Sequence, residues 1–63
     1  MKNHIKKYRT QKGLLQQELA DLCEVSRQTV NAIENNKYDP TLELAFRLAR
    51  VLDITVEDLF IYE

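Results

Sequence analysis

The fold is decided by residues 16–35, QQELADLCEVSRQTVNAIEN. Two short helices are predicted there, over residues 16–23 and 26–35, because apolar side chains recur at helical spacing in both. Ser26 closes the short break between them as an N-cap, since its hydroxyl can accept from backbone N–H groups of the next turn. The apolar residues assigned to the core are Leu19, Ala20, Leu22 and Cys23 on the first of these helices, and Val30 and Ile33 on the second.

Three further helices are predicted from capping residues and apolar periodicity. Their expected limits are residues 3–12 with Gly13 as a stop, residues 41–53 with Thr41 as the N-cap, and a last helix capped by Thr55. On a helical wheel the core arc of the fourth helix comprises Leu42, Ala45, Phe46, Leu48, Ala49 and Leu52. No long strand is expected. The predicted fold is all-α, with five helices in one domain spanning residues 1–63.

The outer face of the helix over residues 26–35 is polar in an unusual way. It carries Arg27, Gln28, Thr29, Asn31 and Asn35, although Glu and Lys would favour the helix more than Thr and Asn do. These side chains match the edges of bases: Arg pairs with guanine, Gln and Asn pair with adenine, and the Thr methyl packs on thymine. The pattern predicts a helix that enters the major groove of double-stranded DNA.

Charge is distributed unevenly along the chain, although its formal net value is only −1. Residues 1–38 carry seven basic and four acidic side chains, a net of +3, whereas residues 39–63 carry two basic and six acidic ones, a net of −4. Such asymmetry hints at a nucleic-acid face. Chance segregation on a solvated surface would give the same numbers, so charge alone decides little.

The residues needed for other functions are missing from the sequence. His4 is the only histidine and is expected to be solvated, and Cys23 is the only cysteine, expected to be a buried core thiol. No phosphate-binding glycine loop, metal cluster or nucleophile–base pair is present. The chain is therefore expected to be no enzyme, to hold no cofactor, metal or small-molecule ligand, and to lie in the cytoplasm with no membrane segment.

Residues 5–60 resemble the helix-turn-helix regulators of the Cro and phage-repressor type, also called the xenobiotic-response-element family. The resemblance rests on Gln16, Leu19, Ala20, Val25, Ser26, Val30, Ile33, Glu34 and the run Pro40, Thr41, Leu42, which fall in register. It implies a lambda-repressor-like DNA-binding domain. The length and both ends are also similar to the small dimeric cytolysin-repressor group, which implies a short strand pairing between residues 60–62 and residues 2–3.

The resemblance also implies roles for individual residues. Base contacts would come from Arg27, Gln28, Thr29 and Asn31, with a phosphate as the alternative for Thr29. Phosphate contacts would come from Gln16, Gln17, Ser26, Lys37 and Tyr38. Arg9 and Glu34 would form a structural ion pair between the first and third helices.

Two positions depart from the family pattern. Leu15 stands where a Ser or Thr N-cap is usual, which forfeits a cap worth about 0.5–2 kcal/mol. Glu24 stands where the turn usually holds glycine, so a positive φ there would strain the backbone by roughly 1–2 kcal/mol. Both departures concern stability and turn geometry, and neither removes a predicted DNA contact.

A homodimer is expected, because one helix of this length contacts few bases and dimers of this class bind two half-sites one DNA turn apart. The predicted dimer interface comprises Leu44, Val51, Phe60, Ile61 and Tyr62. Leu44 and Val51 have an alternative as core residues at the edge of a wide stripe. Three functions remain open at this point: a dimeric repressor, an antitoxin that binds DNA and a protein toxin, and an interaction module that has lost DNA binding.

Overall fold

The computed structural model describes residues 1–62, which form five helices and a pair of two-residue strands. In chain order the elements are β1 (Lys2–Asn3), α1 (Ile5–Gln11), α2 (Gln16–Cys23), α3 (Arg27–Glu34), α4 (Leu42–Val51), α5 (Val56–Leu59) and β2 (Phe60–Ile61). The five-helix prediction is confirmed. The fold has the lambda-repressor-like form that the resemblance implied.

The two strands join the ends of the described chain. They pair antiparallel, with Lys2 opposite Ile61 and Asn3 opposite Phe60, as the resemblance implied. Because Asn3 lies in β1, α1 begins at Ile5 and not at residue 3 as predicted. The Asn3 side chain joins three elements: its Oδ1 accepts from the Ile5 N–H at 3.1 Å, and its Nδ2 donates to the Ile33 carbonyl oxygen at 2.8 Å.

The core lies where α2, α3 and α4 meet, closed by residues from both ends of the chain. Its fully buried side chains are Ile5, Leu19, Cys23, Val30, Ile33, Leu48 and Leu59. Burial raises the pKa of the Cys23 thiol, and the nearby Arg47 only partly offsets this effect. Cys23 is therefore the buried core thiol that the sequence predicted.

Four helices end in the same way, with one residue in the left-handed conformation. These residues are Gly13, Glu24, Asn36 and Asp53, whose φ angles lie between 58° and 72°. After α2, for example, the Val25 N–H donates to the Ala20 carbonyl oxygen at 3.0 Å, which closes a Schellman motif. Glycine suits this position, but only α1 has one there. The strained turn predicted at Glu24 is therefore present.

The helical wheel assigned the wrong edge of α4 to the core. Leu44 is buried, whereas Leu42 is 71% and Phe46 is 53% exposed. The buried arc is shifted by roughly 60° from the predicted one, at 100° per residue. Arg47 lies three residues after Leu44, on the same edge of α4, and donates to the Cys23 carbonyl oxygen at 3.3 Å, so this edge faces the end of α2. The expectation that Leu44 lies at a dimer interface is therefore wrong.

Three smaller predictions also need correction. Leu22 is 59% exposed, because α2 packs on α3 and α4 through the stripe formed by Leu19, Ala20 and Cys23. Val51 is half-buried and packs against the core, as its alternative assignment allowed. The α4 helix ends at Val51 and not near Asp53, because the left-handed backbone at Asp53 cannot continue a helix.

Candidate nucleic-acid interface

The α3 helix is buried along one side and exposed along the other. Val30 and Ile33 are each only 1% exposed, while Arg27, Gln28 and Asn31 lie on the solvent side of the helix. These three side chains project outward from a helix that the core holds from behind. Such an arrangement suits insertion into a DNA groove, since the contacting side chains do not have to be pulled out of the core first.

The start of α3 is closed by Ser26, as predicted. Its Oγ accepts from the Thr29 N–H at 3.2 Å and lies 3.0 Å from the Thr29 hydroxyl oxygen. Thr29 is half-buried. Its hydroxyl is thus engaged with Ser26, which leaves its methyl group as the part best suited to touch a base.

The end of α3 is tied to α1 by a buried ion pair between Arg9 and Glu34. The Arg9 Nε lies 2.7 Å from the Glu34 Oε2, and the two side chains are 9% and 4% exposed. Arg9 also donates through Nη1 to the Leu14 carbonyl oxygen at 2.8 Å. The ion pair expected between these residues is present, and Arg9 faces inward, away from any groove.

The two glutamines at the start of α2 differ in their surroundings. Gln16 is half-buried and donates through Nε2 to Oε1 of Glu34 at 3.1 Å. Gln17 is exposed and donates to a carboxylate oxygen of Asp21 at 2.9 Å. The helix begins without a side-chain cap, because Leu15 has no acceptor, and the Glu18 carboxylate accepts from the Leu15 N–H at 2.8 Å.

Lys37 and Tyr38 follow directly after α3 and are both exposed. The backbone that carries them is fixed by the left-handed Asn36 and by the Lys37 N–H, which donates to the Ala32 carbonyl oxygen at 2.9 Å. The two side chains therefore lie at the C-terminal end of the exposed helix, on an ordered turn.

Sequence reasoning missed two residues that position α3. Asn3 donates to the Ile33 carbonyl oxygen and to Oδ1 of Asn36, so it helps to hold the end of α3. Arg47 donates to the Cys23 carbonyl oxygen and lies 3.4 Å from the Glu24 carboxylate, so it holds the turn between α2 and α3. The only signal at Arg47 was its i, i+4 spacing from Glu43, and that ion pair is present at 3.3 Å.

Within residues 1–62, no group of three or more His, Cys, Asp or Glu side chains is placed to hold a metal ion. None of the helices in this range combines the length and apolar character needed to cross a bilayer.

Comparison with known proteins decides the family. A family model described as "Helix-turn-helix", of the Cro/C1 type, matches residues 5–59. The chain belongs to this family. The curated relatives that it matches are named as helix-turn-helix transcriptional regulators. One of them, an uncharacterized helix-turn-helix transcriptional regulator of Methanocaldococcus jannaschii, is 52% identical over 63 residues, which cover 100% of the chain and 96% of the relative.

Solved structures of helix-turn-helix proteins match the fold closely. The restriction-modification controller protein C.AhdI from Aeromonas hydrophila has a TM-score of 0.83 at 35% identity, covering 90% of the chain and 86% of the controller. The N-terminal DNA-binding domain of SinR from Bacillus subtilis has a TM-score of 0.84 at 31% identity, covering 95% and 88%. SinR in complex with DNA also matches, with a TM-score of 0.78 at 33% identity, covering 84% and 86%.

Proposed function

We propose that this helix-turn-helix regulator is a homodimeric repressor that recognises a pseudo-palindromic operator through the major groove. The observation that carries the proposal is the outward face of α3, where Arg27, Gln28 and Asn31 are exposed while Val30 and Ile33 are buried. The solved complex of SinR with DNA, which has a similar fold, supports the same use of the chain.

The contacts divide into two kinds. Base edges are assigned to Arg27, Gln28, Asn31 and the methyl group of Thr29, which lie on one helix and can enter one groove. Phosphates are assigned to Gln16, Gln17, Lys37 and Tyr38 at the two ends of the helix pair, where they would fix the orientation of α3 on the duplex. The Ser26 hydroxyl already caps α3, so its part in binding is secondary.

The dimer is assigned to a surface of α4 and α5 other than the predicted one. Leu42 and Phe46 lie one helical turn apart and form an exposed apolar ridge. Two grooves border the ridge. One of about 290 Å³ is lined by Met1, Asp39, Pro40, Leu42, Ala45, Val56 and Phe60. The other, of about 480 Å³, is lined in part by Phe46, Ala49, Ile54 and Val56.

Because this surface carries both a ridge and grooves, a second copy of the chain is the partner that fits it best. In a two-fold interface each surface patch meets the same patch of its partner, so the ridge of one copy can enter a groove of the other. Phe60 lines one of these grooves, and Tyr62, which is 91% exposed, extends the surface at the chain end. Of the interface residues predicted from the sequence, these two and Ile61 stay in the proposal.

The proposal is tested by footprinting the purified protein on the DNA upstream of its own gene. A dimeric repressor should protect two half-sites one helical turn apart, about 34 Å. Because phosphate contacts displace counterions, protection should weaken steeply between about 50 and 200 mM salt. Uniform weak binding along the DNA, or protection that does not change with salt, would contradict the proposal. The proposal assigns DNA binding to the single domain over residues 1–63, as expected from the sequence, and places its action in the cytoplasm.

A further inference from the structure

The carboxamide of Asn31 lies in the middle of a chain of side-chain hydrogen bonds. Its Nδ2 donates to Oε1 of Gln16 at 3.4 Å, and its Oδ1 accepts from Nδ2 of Asn35 at 3.2 Å. Gln16 in turn donates to Glu34, which Arg9 holds in the buried ion pair. The chain of bonds thus connects a buried charge to a side chain on the DNA-facing surface of α3.

The direction of each bond in this chain follows from the carboxylate at its inner end. A carboxylate paired with arginine only accepts, so Gln16 must turn its amide nitrogen towards Glu34. The Gln16 oxygen then faces Asn31 and can accept only from the nitrogen of that carboxamide. If Asn31 were turned over, its oxygen would face the Gln16 oxygen and its nitrogen would face the nitrogen of Asn35. The network therefore fixes which atom of Asn31 lies on which side.

The fixed orientation leaves a specific pair of groups for DNA. A carboxamide has two N–H donors and an oxygen with two lone pairs. Gln16 uses one donor of Asn31 and Asn35 uses one lone pair, so one donor and one acceptor remain. In the major groove adenine presents an acceptor, N7, beside a donor, the N6 amino group, whereas guanine presents two acceptors, N7 and O6. The remaining pair matches adenine and lacks the second donor that guanine needs.

We infer that Gln16 and Asn35 are positioning residues that preset Asn31 to recognise an adenine in the operator. The inference rests on the proposed function, since it concerns the same face of α3. It adds a base identity and two residues that determine specificity without having to touch a base. Arg9 and Glu34 take part indirectly, because they fix the orientation of Gln16.

The test is a selection from a duplex library with a randomised interior, carried out with the full chain and its Asn31→Ala, Gln16→Ala and Asn35→Ala variants. The wild type should select adenine at one position of each half-site, by about tenfold or more over guanine. Asn31→Ala should abolish this preference at that position alone. Gln16→Ala and Asn35→Ala should reduce the preference for adenine over guanine at the same position, because the freed carboxamide can turn or donate twice.

Gln17→Ala is the matched control, because Gln17 is the neighbouring glutamine and is bound to Asp21, outside the network. Loss of a phosphate contact should lower its affinity on all sequences and leave the adenine preference unchanged. Circular dichroism of each variant separates a base-specific effect from partial unfolding. Two outcomes would show that the inference is wrong while the proposed function stands. In the first, the wild type selects a sequence but Asn31→Ala changes no adenine position. In the second, Gln16→Ala and Asn35→Ala leave the adenine preference intact. If the wild type selects no sequence, both are wrong.

Discussion

Arg9 and Glu34 form a two-point ion pair inside the protein, with Nε to Oε2 at 2.7 Å and Nη2 to Oε1 at 3.3 Å. The pair joins α1 to the last turn of α3, and both side chains are less than a tenth exposed. Because Gln16 also donates to Glu34, this carboxylate connects three helices. It lies directly behind the face that is assigned to DNA.

Removing either partner of this pair should destabilise the protein strongly. Glu34→Ala leaves the Arg9 guanidinium buried without a counter-charge, and such changes cost about 3–5 kcal/mol. A chain of this size has a total stability of roughly that order, so urea unfolding followed by circular dichroism should show a much lower midpoint or no cooperative transition. The double variant Arg9→Met with Glu34→Leu should recover much of the loss, because no buried charge remains. A double variant as unstable as the sum of the two single ones would contradict this account.

The turn between α2 and α3 offers a stabilising substitution. Glu24 has a φ of 60° at the end of α2, and a residue with a Cβ atom is strained there by roughly 1–2 kcal/mol. Glu24→Gly should therefore raise the free energy of unfolding by up to about 1 kcal/mol, after the greater freedom of glycine in the unfolded chain is subtracted. The lost contact with Arg47 matters little, because that ion pair is largely exposed.

Gly13→Ala is the matched control for this substitution. Gly13 has a φ of 72°, and a Cβ atom built there meets nothing within 4 Å. The change should therefore lower stability through backbone conformation alone, by about 1 kcal/mol. Chemical denaturation of the wild type and both variants measures the two effects together. Equal midpoints for all three proteins would show that these turns are not strained.

The elements that local sequence determines were predicted well. Caps at Ser26, Thr41 and Thr55 place the starts of α3, α4 and α5, because each hydroxyl accepts from a backbone N–H within three residues of it in the chain. The polar face of α3 was also recognised, since the large apolar side chains, Val30 and Ile33, lie on the other side of the helix. These features depend on neighbours a few residues apart, which the sequence displays directly.

The features that depend on packing between distant residues were missed. Apolar residues lie on both edges of the α4 stripe, so the sequence could not tell whether Leu44 or Phe46 is buried. The answer depends on how α4 packs against α2, which is distant in sequence: the contact of Arg47 with the Cys23 carbonyl oxygen spans 24 residues. The hydrogen bond from Asn3 to Ile33 spans 30 residues and could not be predicted from the sequence either.

The buried thiol of Cys23 should make stability fall at alkaline pH. Burial raises the pKa of this thiol in the folded protein. Above the ordinary thiol pKa of about 8.5, the Cys23 thiol is ionised in the unfolded chain but still protonated in the folded chain. Unfolding then releases a proton, so it becomes more favourable as the pH rises. Below that pH the contribution is fully present. Urea midpoints measured across this range should therefore decline more steeply for the wild type than for Cys23→Ala.

All other ionisable side chains are common to both proteins, so their effects cancel in the comparison. A second measurement is the reaction of the native protein with a thiol reagent at neutral pH. It should be slow until urea exposes the thiol, since the thiolate is the reactive form. Rapid labelling of the folded protein, or identical pH profiles for the two proteins, would contradict the assignment.

The apolar ridge on α4 should control the oligomeric state. Leu42→Glu and Phe46→Glu each place a carboxylate in the proposed two-fold interface, where the same charge from the partner faces it. Sedimentation should show a dimer for the wild type and a monomer for either variant, with the helical content unchanged. Leu22→Glu is the matched control, because Leu22 is 59% exposed on α2 and lines neither of the grooves that border the ridge. A wild type that sediments as a monomer would disprove the dimer, and would favour a protein toxin as the occupant of the ridge.

Substitutions on and after α3 should separate the two kinds of DNA contact. Arg27→Ala and Gln28→Ala remove side chains assigned to base edges, so each should relax the preference at one or two operator positions by about 1–3 kcal/mol. Lys37→Ala removes a cation assigned to a phosphate. It should weaken binding equally on operator and random DNA, and lower the slope of log affinity against log salt by about one per protomer.

Titrations of labelled operator and random duplexes at several salt concentrations measure all three effects. Both Arg27 and Gln28 are exposed, so their removal should leave thermal unfolding unchanged. A loss of stability in either variant would mean that the side chain packs against the protein and not against DNA. Only side chains at base edges can discriminate between sequences. If Lys37→Ala alters which bases are preferred while Arg27→Ala and Gln28→Ala do not, the segment after α3 and not α3 itself enters the groove.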